Sequence, residues 1–264
     1  MSQKPDPHIS AEVKINLTIL VLGAMVMILN ETALSVALPA IMADFDIPAT
    51  SAQWLLTGFL LTMGVVIPTT GFLMDKFTTR QIFLASAGVF LAGTVLAALA
   101  PAFGILLVGR VFQAAGTALM IPTLMTVAMT LVPPQRRGSV MGIISVVISV
   151  APALGPTVGG LVLSMFTWHV IFWTMVPLLG LIAVAGYLRL VNVGDKRDTP
   201  LDFPSVILSV LAFGGVVYAV SSLENILEGE GLIDILVLAI GLVALALFTL
   251  SLIHISEPTR QEAI

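Results

Sequence analysis

Two charged side chains lie inside long apolar stretches of the sequence, where charged groups are unusual. Glu31, preceded by Asn30, lies within the apolar stretch of residues 15–43, and Arg110 lies within a later one. A charge at the centre of a lipid bilayer costs roughly 3 kcal/mol or more, so such residues are rare and usually functional. Glu31 and Arg110 are therefore the first candidates for a functional site.

The chemistry open to a buried carboxyl group beside a cation is the reversible binding of a proton. Burial disfavours the charged form of a carboxyl group, whereas a nearby cation favours it. A conformational change that alters their distance, or the access of water, shifts this balance. We therefore predict that Glu31 carries a proton with Arg110 as its partner, and that Asn30 and Gln113 are supporting polar neighbours. A purely structural ion pair is the alternative.

The sequence indicates no other kind of catalytic chemistry. It contains neither a GxxxxGK[ST] phosphate-binding loop nor an HExxH motif, and it has three His and no Cys. We therefore expect no enzyme activity, no cofactor, no metal site and no direct use of ATP. We also expect no nucleic-acid partner, because the sequence has no basic or aromatic pattern that indicates such a surface.

The elements that hold these residues are predicted to be membrane helices. The chain of 264 residues is 58% hydrophobic and 10% charged, whereas a soluble domain has about 25% charged residues. A spanning helix needs about 20 apolar residues. The stretches that qualify are residues 15–40, 54–74, 82–100, 105–132, 140–166, 170–190, 204–223 and 232–250. The predicted fold class is an all-α polytopic membrane protein with eight spans.

The basic residues predict the orientation of the spans, because Lys and Arg concentrate on the cytoplasmic side. With the N-terminus inside, nine of the eleven Lys and Arg residues fall in cytoplasmic segments, and the outer loops hold acidic residues instead. The chain then divides into an N-terminal cytoplasmic segment (1–14), six spans (15–190), a cytoplasmic linker (191–203) and two further spans (204–250).

In this arrangement Glu31 and Arg110 are expected at a similar depth. Glu31 precedes the outer end of the first span, near Ile41, by ten residues, and Arg110 follows the outer end of the fourth span, near Pro101, by nine. At 1.5 Å per residue, both lie about 14–15 Å from the outer end. Opposite charges at one depth can pair directly or through water, which lowers the cost of burying both.

Residues 251–264 are expected not to belong to the natural protein. The sequence "LSLIHISEPTR" follows the eighth span without a break and reads as the translation of a sequencing-library transposase adapter. We therefore expect further helices of the natural protein to be missing from this sequence. A genuine cytoplasmic tail is the alternative.

Several short segments, in their order along the chain, resemble motifs of the major facilitator superfamily. The resemblance is to its fourteen-helix drug:proton antiporters of the lincomycin-resistance and multidrug-efflux type. "LNETALSVALP" resembles their first-helix motif, with the acid at Glu31 and with Asn30 where Asp is common. The other segments are "QWLLTGFLL" (53–61), "GFLMDKFTTRQIFL" (71–84), "GRVFQAAG" (109–116), "APALGPTVGG" (151–160) and "WHVIFW" (168–173).

The resemblance implies a conformational latch formed by Asp75, Lys76 and Arg80. Asp75 ends the second span on the cytoplasmic side and would face a helix N-terminus in a second half of the protein, where partial positive charge accumulates. Thr78 and Thr79 replace the Gly and the basic residue that are usual in this loop. A solvated charge at a helix end is the alternative.

The resemblance also implies that Gly155, Pro156, Gly159 and Gly160 form the antiporter motif of the fifth span. Gly155 and Gly159 give a small-xxx-small face that lets another helix approach closely. Pro156 lacks a backbone N–H and can bend the helix. The functional interpretation is a pliable seam between the two halves of the transporter, which limits leak, and ordinary helix packing is the alternative.

For the whole chain, the resemblance implies the N-terminal six-helix half of a major-facilitator fold plus two additional spans. The intact protein is expected to lie in the cytoplasmic membrane of a bacterium and to export lipophilic or cationic drugs in exchange for protons. Its partners would be these small molecules, protons and the lipid bilayer. Export of a specific metabolite or peptide is one alternative, and a helical membrane protein without transport activity is another. The fragment alone is expected to be inactive.

Overall fold

The computed structural model describes residues 9–193, 203–221 and 232–256, and all regular secondary structure within these ranges is helical. The helices are α1 (Ala11–Phe45), α2 (Ala49–Ala52), α3 (Trp54–Lys76), α4 (Thr79–Ala98), α5 (Phe103–Leu131), α6 (Pro134–Met165), α7 (His169–Arg189), α8 (Phe203–Ser221) and α9 (Leu232–Ser256). The predicted all-α class is confirmed. The eight predicted spans correspond to α1 and α3–α9, and α2 is a short helix between the first two spans.

Within the described ranges, six helical segments are long and apolar enough to cross a membrane, and these are the first six predicted spans. The seventh and eighth predicted spans correspond to α8, with 19 residues, and α9, with 25 residues. Helix α9 continues through residues 251–256, the first part of the expected non-native tail. The rest of that tail, residues 194–202 of the predicted linker and residues 1–8 of the N-terminal segment lie outside the described residues.

Local sequence signals explain where several helices begin and end. Ser10 starts α1 four residues earlier than the first predicted span, because its hydroxyl accepts a hydrogen bond of 3.3 Å from the Val13 N–H. Thr78 starts α4 with a capping box, in which Thr78 and Gln81 satisfy each other's backbone N–H groups. Asp46 ends α1 with a left-handed backbone (φ 50°), which a short polar residue tolerates better than most.

The first six spans pack as one bundle. Helix α1 packs along α6, α4 packs along α5, and α3 also packs on α5, while α7 contacts both α4 and α1. Helix α1 reaches α5 as well, so the helix with Glu31 and the helix with Arg110 are direct neighbours. Helix α8 packs on α3, and α9 packs on α8.

Helices α4 and α5 approach each other closely at two glycines of α5. A Cβ added to Gly109 would lie 2.8 Å from the Gly93 carbonyl oxygen, and one added to Gly116 would lie 2.7 Å from the Ser86 carbonyl oxygen. The Ser86 hydroxyl in turn donates a hydrogen bond of 2.7 Å to the Gly116 carbonyl. Lipid is as apolar as the helices, so membrane helices are held together by such close packing and by hydrogen bonds.

Two clusters of buried apolar side chains lie one above the other in the bundle. The inner cluster, at the end predicted to face the cytoplasm, includes Leu20, Met27, Phe90, Met120 and Leu179. The outer cluster, at the opposite end, includes Leu34, Ile41, Leu55, Leu106 and Phe172. On each of α1, α4 and α5 the chain passes from one cluster to the other, and on α1 and α5 the transition contains residues predicted to be functional.

Candidate functional site

A layer of buried polar side chains separates the inner cluster from the outer cluster. We call Asn30, Thr94, Arg110 and Gln113 the polar layer, and each of them is 0% exposed. The four residues come from three helices, α1, α4 and α5. Buried polar groups are unfavourable unless they find hydrogen-bond partners. Because these four groups lie at one level, the three helices must pack in a way that gives them such partners.

The level of the polar layer agrees with the depth expected from the sequence. On α1 the layer lies between Met27 of the inner cluster and Leu34 of the outer cluster. On α5 it lies between Leu106 of the outer cluster and Met120 of the inner cluster. The two intramembrane charges are thus on neighbouring helices and at corresponding levels.

The Arg110 side chain is held by groups from two helices. Its Nε donates a hydrogen bond of 3.3 Å to the Leu55 carbonyl on α3, and its Nη1 donates one of 2.9 Å to Gln113 Oε1. The guanidinium lies over the ring of Phe59, with 4.1 Å between Cζ and the ring centroid, a favourable cation–π arrangement. The third nitrogen, Nη2, is buried and has no hydrogen-bond partner among the residues described.

Gln113 extends this network to α4. Its Nε2 donates a hydrogen bond of 2.9 Å to Thr94 Oγ1, and the Thr94 hydroxyl donates one of 2.8 Å to the Phe90 carbonyl. Gln113 was predicted as a polar neighbour of Arg110 from its position three residues further along one helix, and it occupies that place. Sequence reasoning missed Thr94, Phe59 and the Leu55 carbonyl, because nothing local marks them as neighbours of Arg110.

Glu31 lies beside the polar layer without being enclosed by it. It is half-buried on α1, in contrast to the fully buried Arg110 on α5. Glu31 and Arg110 interact electrostatically. The hydrogen bonds and ion pairs of the described chain do not include a direct bond between them. A carboxyl group open on one side and under the influence of a buried cation on the other is chemically able to bind and release a proton.

Asn30 makes no direct hydrogen bond to the other predicted site residues, and its supporting role stays a prediction. Its side chain is fully buried, and neither Oδ1 nor Nδ2 has a hydrogen-bond partner within the described part of the chain. The reason is geometric, since the side chain points into the bundle between two apolar clusters while Glu31 is on a more open face of the same helix.

The residues of the predicted latch lie at the end of α3 that is predicted to face the cytoplasm and at the start of α4. Asp75 and Lys76 are exposed, and neither makes a hydrogen bond or ion pair with another described residue. The Arg80 guanidinium lies over the Tyr187 ring of α7, with 4.8 Å between Cζ and the ring centroid. The Arg80 N–H donates a hydrogen bond of 3.1 Å to Asn192 Oδ1. Asp75 is thus free to meet a partner outside this chain segment.

One of the two threonines that depart from the usual loop motif, Thr79, ties the chain after α7 to the start of α4. The Thr79 hydroxyl and the backbone of Val193 exchange two hydrogen bonds of 3.1 Å each. On the neighbouring helix α1, Asn16 Oδ1 accepts a hydrogen bond of 2.7 Å from the Val191 N–H. The first residues of the predicted linker are therefore bound to α1 and α4, which sequence reasoning did not anticipate.

The glycines of the fifth-span motif pack within the bundle. A Cβ added to Gly155 would overlap Thr32 of α1, and one added to Gly159 would lie 2.6 Å from the Ala33 carbonyl oxygen. The expected close approach occurs, but it is made to α1 of the same half and not to a second half. Gly160 has no other atom within 4 Å of its Cβ position, and Pro156 is exposed. The role of this second face as a seam between halves stays a prediction.

No group of three or more His, Asp or Glu side chains in the described ranges is arranged to hold a metal ion. The polar layer and Glu31 form the best-defined candidate site, and their chemistry is that of a carboxyl group, a guanidinium, two amides and a hydroxyl.

Sequence comparisons identify relatives of this chain. The profile of the Major Facilitator Superfamily matches residues 20–255. The uncharacterized MFS-type transporter YcnB of Bacillus subtilis is 42% identical over 241 residues, which are 91% of this chain and 51% of that protein. The lincomycin resistance protein LmrB of Listeria monocytogenes is 41% identical over 230 residues, 87% of this chain and 48% of that protein. The chain spans about half the length of these curated relatives.

Solved structures resemble the fold. A crystal structure of the peptide transporter POT in complex with sulfate superposes with a TM-score of 0.63 at 17% identity, covering 83% of this chain and 48% of that one. The human organic anion transporter MFSD10 gives a TM-score of 0.58 at 15% identity, covering 91% and 71% of the two chains. At such identities the likeness concerns the fold alone.

The fold, the apolar helices and the bacterial relatives agree on a multi-pass protein of a bacterial cell membrane. A family match over most of the chain, together with relatives above 40% identity, fixes the family. The chain belongs to the Major Facilitator Superfamily, whose members are transporters rather than enzymes.

Proposed function

We propose that the intact protein exports small lipophilic or cationic drugs across the bacterial cytoplasmic membrane in exchange for protons, with Glu31 as the proton carrier. The observation that carries this proposal is the relation between Glu31 and Arg110. The half-buried carboxyl group interacts electrostatically with a fully buried cation but is not locked to it by a direct ion pair. The names of relatives, which include lincomycin, methylenomycin A and multidrug resistance proteins, support the substrate class.

The coupling step follows from which of the two charges can move. Arg110 is held by the Leu55 carbonyl, by Gln113 and by the face of Phe59, so its position depends on α3, α4 and α5 together. Glu31 is on α1, and we propose that α1 shifts relative to α5 within this bundle when the two halves of the transporter rock against each other. A shorter distance favours the charged carboxylate and a longer distance favours the protonated form.

A cationic drug would act on the same balance. When it approaches the charged Glu31 from the open side, it competes with the proton for the carboxylate. A proton bound from outside is then released inside as the drug binds, and the drug leaves when the next proton arrives. Nothing in this cycle requires covalent chemistry, since the energy comes from differences in the affinity of two conformations for the two ligands.

The structural alternative, a permanent ion pair, is less well supported. A buried pair that serves stability alone gains most from direct, charge-assisted hydrogen bonds. Arg110 instead directs Nε and Nη1 to neutral oxygens, and Glu31 keeps an exposed side.

We also propose that Asp75, Lys76 and Arg80 form a latch against a helix N-terminus of the second half, and that Pro156 and Gly160 line the seam between halves.

The test uses the full-length natural gene in everted membrane vesicles energised by a proton gradient, with lincomycin and a lipophilic cationic dye as substrates. Glu31→Gln should abolish uphill transport while some binding of the dye survives, and Glu31→Asp should keep part of the activity. Glu12→Gln is the matched control, because Glu12 is an exposed acid in the first turn of the same helix. Uphill transport by Glu31→Gln that an uncoupler still stops would mean that the proton is carried elsewhere.

A further inference from the structure

The proposed coupling step assigns no role to the side chain of Asn30. It is 0% exposed, and both its Oδ1 and its Nδ2 are without a hydrogen-bond partner in the described ranges. A primary amide offers two donor hydrogens and an acceptor oxygen. A buried amide that makes no hydrogen bond at all is strongly unfavourable, so Asn30 needs at least one partner in the folded protein.

That partner does not come from outside the bundle. The described helices already cover Asn30 completely. A helix of a second half, a lipid or a drug that packs on the surface of this bundle therefore does not touch the amide unless α1 leaves its neighbours. Only a molecule small enough to be enclosed with the side chain meets this condition, and water is the molecule that proteins use in this way.

Arg110 presents a second group with the same need. Its Nη2 is buried and has no partner in the part of the chain that is described, although Nε and Nη1 are both bonded. Glu31, the residue after Asn30, interacts with Arg110 through space without a direct ion pair. Buried waters typically make about three hydrogen bonds to groups that otherwise lack them. Asn30, Arg110 and Glu31 supply that number.

We propose that Asn30 and Arg110 hold an internal water in the polar layer, and that this water connects the guanidinium to Glu31. The water accepts a hydrogen bond from Arg110 Nη2 and donates one to Asn30 Oδ1. Its second hydrogen is donated to the Glu31 carboxylate. When Glu31 binds a proton, its O–H donates to the water, whose hydrogens turn to Asn30 and to a carbonyl of the layer. Asn30 is then a positioning residue that sets how strongly the cation acts on the carboxyl group.

An amide suits this role better than a carboxylate. Arg110 is the one cation whose interaction with Glu31 is resolved, and a second carboxylate at position 30 would compete with Glu31 for it. An amide binds water equally well and adds no charge to the layer. The inference about hydration stands on the buried polar atoms alone, and only its consequence for transport rests on the proposed function.

The first test measures the stability of this chain in lipid nanodiscs. Leu has the same branching and the same number of side-chain heavy atoms as Asn30, and no polar atom. If the amide were truly unpartnered, Asn30→Leu would raise the melting temperature, because an unfavourable buried group is removed. If the amide holds a water that also serves Arg110, the melting temperature falls by about 3 °C or more. Thr123→Val is the matched control, since the buried Thr123 hydroxyl bonds only to the Leu119 carbonyl of its own helix at 2.7 Å.

The second test does not depend on whether Asn30→Leu folds. A pH jump is applied to the unmodified chain in nanodiscs, and infrared difference spectra are recorded in ordinary water and in water labelled with oxygen-18. We expect an O–H stretching band that shifts with the isotope and appears together with the carboxyl C=O band of Glu31. Both bands should be absent in Glu31→Gln. A carboxyl band without any isotope-sensitive partner would overturn the proposal.

The transport consequence is measured separately in the full-length protein. Asn30→Leu should lower proton-driven export about tenfold and move its pH profile, while dye binding is retained. If export proves independent of protons but the isotope-sensitive band and the loss of stability are observed, the water site stands and the proposed function falls. If Asn30→Leu raises the melting temperature, the water site falls and the proposed function is untouched.

Discussion

Arg110 on α5 donates a hydrogen bond of 2.9 Å to Gln113, which lies one turn further along the same helix. Gln113 continues the connection, since its Nε2 donates to Thr94 of α4 at the same distance. One amide therefore positions the guanidinium within its own helix and ties that helix to its neighbour. Because the cation is fixed in this way, any change in the distance between Arg110 and Glu31 must come mainly from movement of α1.

Replacement of Gln113 should disturb the cation without removing it. Gln113→Leu deletes two hydrogen bonds of the polar layer, so the free energy of unfolding should fall by about 1–3 kcal/mol. Export by the full-length protein should fall as well, because Arg110 is no longer held at a fixed distance from Glu31. Thermal unfolding in nanodiscs and vesicle transport provide the two measurements. Thr117→Val is the control, since this buried hydroxyl bonds only to the Gln113 carbonyl of its own helix; equal losses in both variants would count against the network.

The contact between α4 and α5 should be intolerant of a single methyl group. In Gly109→Ala the new Cβ lies 2.8 Å from the Gly93 carbonyl oxygen and 2.9 Å from the Ala97 nitrogen. Both are backbone atoms, so the helices must move apart, at a cost of about 1–3 kcal/mol. Gly104→Ala is a matched control in the same helix, because no other atom lies within 4 Å of that Cβ position. If both alanine variants unfold at the same temperature, the close packing described for Gly109 is wrong.

Alanine substitutions on the two faces of the fifth-span glycine motif should have different effects on stability and on proton leak. Gly155→Ala forces α6 away from Thr32, the residue after Glu31, so we expect loss of stability by about 1–3 kcal/mol and loss of coupling. Gly160→Ala meets no atom within 4 Å, so the stability of this chain should not change. In the full-length protein, Gly160→Ala should raise passive proton leak through the seam between halves. Leak that stays at the level of the unmodified protein would contradict a seam at Gly160.

Neutralisation of the latch acid should impair transport and spare insertion. Asp75 is exposed at the end of α3 and makes no hydrogen bond or ion pair in the described segment, so Asp75→Asn should leave the melting temperature of this chain unchanged. Export by the full-length variant should fall, because the attraction to a helix N-terminus in the second half is lost. Asp46→Asn makes the same charge change at the other end of the bundle, where Asn also tolerates the left-handed backbone. Normal export by a well-expressed Asp75→Asn protein would refute the latch.

The 264-residue chain by itself should export nothing. Alternating access requires one half of the transporter to rock against the other around a site between them, and this chain spans about half the length of its relatives. Cells that produce only this chain should accumulate lincomycin and a cationic dye like cells with an empty vector, and cells with the full-length gene serve as the positive control. Uncoupler-sensitive export by the short chain would disprove this.

The sequence alone determined the features that depend only on the positions of residues within a single helix. Length and apolarity identify the first six spans, and the position of Glu31 and Arg110 along their helices predicts a common depth, because every residue advances a helix by the same rise. The relation of Arg110 to Gln113 was also available from the sequence, since residues three apart share a helix face. The motifs along residues 29–173 were sufficient to predict the family.

Only the tertiary structure decided which helices meet and which groups remain without partners. It brings Leu55 and Phe59 of α3 to Arg110, and Thr94 of α4 to Gln113. It also encloses Asn30 beside Glu31 and turns Gly155 toward α1. The physical reason is that a membrane helix is apolar on its lipid-facing and its protein-facing sides alike, so its pattern of residues does not reveal which face contacts a neighbour. The rotation of each helix, and with it the composition of the polar layer, is fixed by close packing between helices.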